Sequence, residues 1–121
     1  MYKYFNPNPC GKRVGDCVIR GISKLLNKSW EKVYIELAIY GLEMCDMPSS
    51  NAVWGRYLKD NGYMQRPIDF MTVKEFAENN PHGSYLLATG THVICIKDGT
   101  IFDAWDSSAE TPIYFFYKKG D

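Results

Sequence analysis

The chain has 121 residues, 45% hydrophobic and 15% aromatic, with a formal net charge of zero. That length can bury one hydrophobic core without metals or disulfides, so we expect a single domain over residues 1–121. A neutral chain lacks the basic footprint of nucleic-acid binders and the polybasic patch of membrane-surface proteins. The N-terminus turns polar at once, which argues against a signal peptide, and no apolar run approaches membrane-spanning length.

The cysteine spacing argues against a zinc site. No two of the four cysteines have CxxC spacing, and no histidine lies near a pair of them. We therefore expect reduced thiols in a cytoplasmic protein without a cofactor or a metal. A disulfide, redox or metal role for Cys10 and Cys17 is kept as an alternative.

The first part of the chain reads as helical. Residues 1–9, aromatic and then Asn/Pro-rich, predict an extended arm or edge segment. Apolar spacing predicts helices over residues 17–26 and 30–42, the second capped by Ser29. A third helix is capped by Ser50 or Asn51 and stopped at residues 61–62, and a capping box at Thr72 opens a short fourth helix to residue 79.

The second part of the chain reads as strands. We predict strands over residues 84–88, 92–97, 100–105 and 112–117, and an edge strand over residues 63–68 that contains Pro67. Asp98-Gly99 is a hairpin turn between the second and third of these. The class predicted is α+β, with N-terminal helices packed on a C-terminal antiparallel sheet.

Cys17 opens the first predicted helix. Asp16 is a good N-cap, and the positive end of the helix dipole favours ionisation of a thiol placed there. Lys12 and Arg13, just upstream, add to this effect. The alternative is that Cys17 is a small buried hydrophobic residue.

The hairpin register brings a histidine near an acid. With Asp98-Gly99 as a two-residue turn, His92 and Asp103 lie diagonally on one face of the two strands. A carboxylate there would hold the imidazole in one tautomer. Asp106 points to the other face and is held as the alternative acid. Cys17, His92 and Asp103 thus predict a nucleophile, a base and an orienting acid, although each has an ordinary structural explanation.

These residues carry a family resemblance. The order Cys, His, Asp, with the cysteine on an early helix and the others on a later sheet, resembles the papain-like cysteine peptidase fold. Residues 8–20 (NPCGKRVGDCVIR), 51–55 (NAVWG) and 90–103 (GTHVICIKDGTIFD) resemble small peptidase-like proteins of bacteriophages and their bacterial hosts. The resemblance implies a papain-like domain with a catalytic triad.

One position departs from the papain-like pattern. Such enzymes carry a Gln about six residues before the cysteine, and here that residue is Gly11. An oxyanion hole would then use the Cys17 main-chain N–H with a second donor, for which Asn8 is the candidate and Lys12 and Arg13 are alternatives.

Three further residues are candidates for substrate binding. Arg20 could bind a substrate carboxylate, but a structural salt bridge to an acid of the sheet is the favoured interpretation. Trp54 and Trp105 could line a substrate groove, although core packing is the simpler expectation. His82 lies in a Pro/Gly turn and is expected to be solvated.

Two function hypotheses follow. The first is a thiol hydrolase that cleaves a peptide or isopeptide bond, with deamidase or transferase chemistry as variants of the same acyl-thioenzyme route. The second is a peptidase-like scaffold used as a non-catalytic protein-binding module, such as a phage protein that engages a host factor. The expected partner is a peptide or protein, with no nucleic acid and no membrane, and no oligomeric state is predicted.

Overall fold

The computed structural model describes residues 1–120. Within them the elements follow the predicted order of helices and then strands, with an added short strand at the N-terminus. The elements are β1 (Tyr2–Tyr4), α1 (Cys17–Leu26), α2 (Trp30–Glu43), α3 (Asn51–Asp60), β2 (Tyr63–Pro67), α4 (Val73–Asn79), β3 (Ser84–Ala88), β4 (Val93–Lys97), β5 (Thr100–Asp103) and β6 (Tyr114–Lys118).

The six strands form one sheet in the order β1-β5-β4-β3-β6-β2. All neighbouring strands are antiparallel except β1 and β5, which are parallel. The α+β class is confirmed, and the strands that follow the first three helices pair antiparallel as predicted, while the predicted N-terminal edge segment adds one parallel strand. The N-terminal arm runs alongside β5, with the Ile101 N–H donating to the Met1 carbonyl and the Phe5 N–H to the Asp103 carbonyl.

The sheet separates two hydrophobic layers. Helices α1, α2 and α3 pack on one face, where Val93 and Cys95 of β4 join their core. Helix α4 packs on the other face against Ile94 and Ile96. This alternation along β4 follows from the two-residue repeat of a strand, and it places α1 over β4.

The start signals of α2 and α4 and the stop signal of α1 behave as predicted, whereas Ser50, at the N-cap of α3, accepts no side-chain capping hydrogen bond. The Ser29 hydroxyl accepts from the Lys32 N–H at the start of α2. Thr72 and Glu75 form a reciprocal capping box on α4. Asn27 ends α1 in the left-handed conformation, with φ 54°. No helix among residues 1–120 has the length and apolar character needed to cross a membrane.

The strand ends near His92 differ from the prediction. Strand β4 starts at Val93, because His92 belongs to a tight turn in which Thr89 and His92 exchange main-chain and hydroxyl hydrogen bonds. Strand β5 ends at Asp103 rather than Trp105, and β6 is displaced toward the C-terminus. His92 and Asp103 therefore lie at the ends of the neighbouring strands β4 and β5. There Asp103 reaches α1, with its Oδ1 3.1 Å from Arg20 Nη2.

Two helical glycines test how closely α1 packs on the sheet. A Cβ on Gly21 would lie 2.8 Å from Leu86 Cδ1, whereas a Cβ on Gly55 in α3 would meet Phe116 Cζ at 3.8 Å, an ordinary contact. We expect Gly21→Ala to lower the free energy of unfolding by about 1–3 kcal/mol through overpacking. The control, Gly55→Ala, should raise it by up to about 1 kcal/mol through helix propensity. Urea unfolding measures both, and shifts of the same sign would contradict this packing.

Candidate active site

Cys17 is the first residue of α1, and Asp16 occupies the N-cap position. The predicted capping bond is wrong, because the Asp16 side chain accepts no hydrogen bond from the first turn. Its Oδ1 lies 2.7 Å from Arg20 Nη1, and its Oδ2 accepts from Trp30 Nε1 at 2.8 Å. The N-terminus of α1 is therefore left without a side-chain cap, and its main-chain donors favour an anion.

His92 is buried between an acid and an aromatic ring. Its Nε2 lies 2.7 Å from Asp103 Oδ2. The Trp105 ring stacks on the imidazole with centroids 4.3 Å apart and planes 24° apart. Because Asp103 engages Nε2, Nδ1 is the nitrogen that remains to interact with the Cys17 thiol.

Asp103 is fully buried, with 0% of its surface exposed. The Ser107 hydroxyl donates to its Oδ2 at 2.7 Å, and the Ala104 N–H donates to its Oδ1 at 2.7 Å. Arg20 Nη2 lies 3.1 Å from the same Oδ1. Both carboxylate oxygens are thus held by neighbours, which fixes the orientation of the group that contacts His92.

The electrostatics of Cys17 and His92 favour a thiolate paired with an imidazolium. Burial raises the pKa of the Cys17 thiol, but hydrogen bonds from His92 and the Val93 N–H, with the charges of His92 and Arg20, outweigh it and lower the pKa. Burial lowers the pKa of His92, but its hydrogen bonds to Asp103 and Cys17 raise the pKa to about 9. The pKa of Asp103 is lowered: burial opposes this, and the His92 and Ser107 hydrogen bonds prevail.

A cavity of about 420 Å³ opens beside the sulfur. Its wall combines the start of α1 and the turn before β4 with parts of α2, α3 and β6. Most lining side chains are apolar or aromatic. The ionisable ones are Asp16, Cys17, Tyr34, His92 and Tyr114, and Asp16 is already paired with Arg20. The lining includes Cys17, Val18, Ile19, Tyr34, Leu37, Asn51, Trp54, His92, Val93 and Tyr114.

The predicted oxyanion donors and the reserve acid lie elsewhere. Asn8 does not line the cavity, since its Oδ1 accepts from the N–H groups of Cys10 and Lys12 in its own loop. Lys12 and Arg13 do not line it either. Asp106 is exposed, and its carboxylate accepts from the Ser108 N–H rather than facing His92.

The three substrate-binding candidates have different surroundings. Trp54 lines the cavity but is only 1% exposed, and it packs against Phe116 as a core residue. Arg20 is buried in ion pairs and is absent from the cavity wall, which fits the structural salt bridge rather than substrate binding. Trp105 also lies outside the wall; it is exposed on one side and covers His92 on the other.

The other thiols take no part in this arrangement. All four cysteines are free, so the alternative disulfide between Cys10 and Cys17 is not formed. Cys10 and Cys45 are exposed, whereas Cys95 is buried and burial raises its pKa to about 12. Within residues 1–120 no cluster of three or more His, Cys, Asp or Glu side chains could hold a metal ion.

Sequence reasoning missed three contributors to the site. Ser107, in the loop after β5, donates to Asp103, and Trp30, at the start of α2, donates to Asp16. No local sequence pattern predicts either contact. Asn51, which the sequence indicates as a helix cap, also lines the cavity. The pair Asn51 and Trp54, three residues apart on a helix, was an available signal, because such residues share a face.

In comparisons with known proteins, no family model, no curated protein and no solved structure matches this chain. The functional assignment therefore depends on the chemistry of the site itself.

The pairing of Cys17 with His92 predicts a characteristic pH profile for alkylation by iodoacetamide. Reactivity of Cys17 should rise with pH through its lowered pKa and should hold until His92 loses its proton at about pH 9. In His92→Ala we expect at least a tenfold (~10-fold) lower rate near neutral pH, since one pKa unit is about tenfold in thiolate. Peptide mass spectrometry measures each cysteine separately.

The matched control is His82→Ala, which removes the other histidine of the sequence from an exposed turn. It should leave the profile unchanged. A His92→Ala profile identical to that of the unmodified chain would contradict the pairing.

Proposed function

We propose that this protein is a thiol hydrolase of the papain-like type, which cleaves a peptide or isopeptide bond with Cys17, His92 and Asp103. The observation that carries the proposal is the proximity of three groups beside one cavity: a thiol at a helix start and an imidazole, which both line the cavity, and a buried carboxylate 2.7 Å from that imidazole. The papain-like assignment is supported by the chain order and by an α+β layout that puts the nucleophile on a helix and its partners at the ends of two neighbouring strands.

Acylation begins with attack of the Cys17 thiolate on the substrate carbonyl carbon. A bond forms between sulfur and carbon, and the carbonyl electrons move to oxygen. When the intermediate collapses, the bond between carbon and nitrogen breaks, and the imidazolium of His92 gives its proton to the departing amine. The raised pKa of His92 suits this step, because the proton must be present when the amine leaves.

Deacylation uses the same residues in reverse. Neutral His92 takes a proton from water, the hydroxide oxygen attacks the thioester carbon, and Cys17 leaves as a thiolate. Attack by an amine instead of water would make the protein a transferase, and release of ammonia from a side-chain amide would make it a deamidase. Asp103 keeps the imidazole oriented throughout and stabilises its charged form.

Stabilisation of the oxyanion requires two donors. The first is the Cys17 main-chain N–H, at a helix start that no side chain caps. We assign the second to the Asn51 amide, which lines the same cavity. Its Oδ1 accepts from Trp54 Nε1 at 3.1 Å, so its Nδ2 is the atom left to donate. Asn51 would take the part that the missing glutamine plays in the papain-like pattern.

A second candidate function is the non-catalytic protein-binding module, of the kind expected of a phage or host-interaction protein. The observation that favours it is an exposed apolar stripe on α2, formed by Ile35 at 58%, Ile39 at 48% and Leu42 at 80% exposure. Exposed apolar patches of this kind mark interaction surfaces. The two functions separate in one variant, since Cys17→Ala should abolish hydrolysis and leave a binding function intact.

Turnover of p-nitrophenyl acetate tests the hydrolase directly. We expect the chain to form an acetyl thioester at Cys17, seen by intact mass, and to hydrolyse it repeatedly. His92→Ala should slow the reaction by about 10²-fold or more through loss of general acid–base catalysis. Cys10→Ser, which removes an exposed thiol, should not change the rate. Acetylation of Cys10 as fast as Cys17 would contradict the proposal.

The Asn51 assignment predicts a selective defect. Asn51→Ala should slow acylation by p-nitrophenyl acetate by about 10²-fold, because the developing oxyanion loses a donor. Alkylation by iodoacetamide should be unchanged, since attack on a saturated carbon forms no oxyanion. Asn79→Ala, an exposed asparagine at the end of α4, is the matched control. Equal loss in both reactions would show that Asn51 merely supports the fold.

A further inference from the structure

Arg20 is a buried cation that the proposed chemistry leaves unexplained. Only 4% of its side chain is exposed. Its Nη1 lies 2.7 Å from Asp16 Oδ1, and its Nη2 lies 3.1 Å from Asp103 Oδ1. The second contact is an ion pair without an aligned hydrogen bond, because Nη2 has no hydrogen-bond partner among the described residues. One guanidinium thus bridges two buried carboxylates.

The position of Arg20 connects the two halves of the site. It lies three residues after Cys17 on α1, about one helical turn away, so both side chains leave the helix on neighbouring faces. Its other partner, Asp103, is the acid that contacts His92. Any shift of α1 relative to β5 would therefore stretch the contact of Arg20 and move the sulfur away from the imidazole.

Stability alone is a weak reason for this arrangement. Burying charges costs solvation energy that the ion pair rarely exceeds, and apolar replacements of similar volume are often as stable. The guanidinium also lies over Trp105, with Cζ 5.4 Å from the ring centroid, and that ring stacks on His92. Arg20 therefore contacts both groups that hold the imidazole.

We propose that Arg20 is a positioning residue of the hydrolase: its guanidinium ties the helix that carries Cys17 to the carboxylate that orients His92. The inference rests on the proposed function and assigns no contact with substrate. The positive charge of Arg20 acts in the same direction, because it helps to lower the pKa of the Cys17 thiol.

The dependence of the Cys17 alkylation rate on pH is the appropriate readout, and it depends on the titratable and charged groups around the site. Those that face Asp103, His92 and Cys17 come from the loop before α1, from α1, from β1 and from the loop after β5, with two more from α2 and β6. They are Arg13, whose guanidinium donates to the Ala104 carbonyl, Asp16, Arg20, the Tyr2 hydroxyl, which donates to the Asp103 carbonyl, and Ser107. Tyr34 of α2 and Tyr114 of β6 add two phenols in the wall of the cavity that Cys17 and His92 line.

The test compares Arg20→Met, Arg20→Lys and the control Lys24→Met. Lys24 lies one turn further along α1, with its Nζ 4.2 Å from the centroid of the Phe102 ring. The control therefore removes a positive charge from the same helix without removing a contact of Asp103. Near pH ~6 we expect the alkylation rate of Cys17 to fall about tenfold in Arg20→Met, which is one unit in thiol pKa. Arg20→Lys should recover only part, because a point charge cannot bridge two carboxylates. Lys24→Met should match the unmodified chain.

Circular dichroism and a cooperative melt establish that each variant is folded. If Arg20→Met does not fold, the Arg20→Lys variant tests the positioning role instead. The downfield proton NMR resonance of His92 Nε2–H is then a second readout. We expect that resonance to be lost in Arg20→Lys and retained in Lys24→Met. An unchanged profile and resonance in Arg20→Lys would overturn the inference, as would an equal shift in Lys24→Met.

Failure of this inference is distinguishable from failure of the proposed function. If His92→Ala shifts the Cys17 profile and the Arg20 variants do not, the triad stands and Arg20 is merely structural. If His92→Ala leaves the profile unchanged, the hydrolase proposal fails first, and the inference about Arg20 fails with it.

Discussion

The burial of one carboxylate, that of Asp103, determines the geometry of the site. A buried charge is tolerated only when it is paired and hydrogen-bonded. The partners come from three separate parts of the chain: His92 from the turn before β4, Arg20 from α1, and Ser107 with the Ala104 N–H from the loop after β5. Each partner satisfies the carboxylate and is itself held in place by it.

The same contacts set the charge state of the candidate nucleophile. The Asp103 carboxylate, hydrogen-bonded to Nε2, favours the imidazolium form of His92, and an imidazolium beside the Cys17 thiol favours the thiolate. The helix start is open to an anion because Asp16 turns away from it to pair with Arg20 and Trp30. Packing of α1 on the sheet and electrostatics of the sulfur are therefore two consequences of one network.

Local sequence signals predicted much of the fold. The Asp98-Gly99 turn fixed the register of the hairpin, and the pairs Lys97 with Thr100, Ile96 with Ile101 and Cys95 with Phe102 are all observed. That register also brought the positions of His92 and Asp103 together, although their strands end sooner than expected. Helix starts at Ser29 and Thr72 were predictable because capping is a matter of neighbouring residues.

Contacts between distant segments could not be predicted in this way. The capping role expected of Asp16 was lost to Arg20 and Trp30, because a charge-assisted bridge outweighs a cap. The oxyanion donors sought near Cys17 in the chain do not line the cavity, whereas Asn51 reaches it from α3. Parallel pairing of β1 likewise depends on where the arm docks, which no local pattern encodes.

The central claim is that Cys17 and His92 form a thiolate–imidazolium pair, and ultraviolet thiolate absorbance measures it most directly. The titration would use a chain in which Cys10 and Cys45 are replaced by serine, since Cys95 is buried with its pKa raised to about 12. The account predicts that one thiolate is present well below the usual pKa of cysteine and that Cys17→Ala abolishes its absorbance. A thiolate that appears only in the ordinary range of an isolated cysteine, at about pH 8.5, would contradict the account.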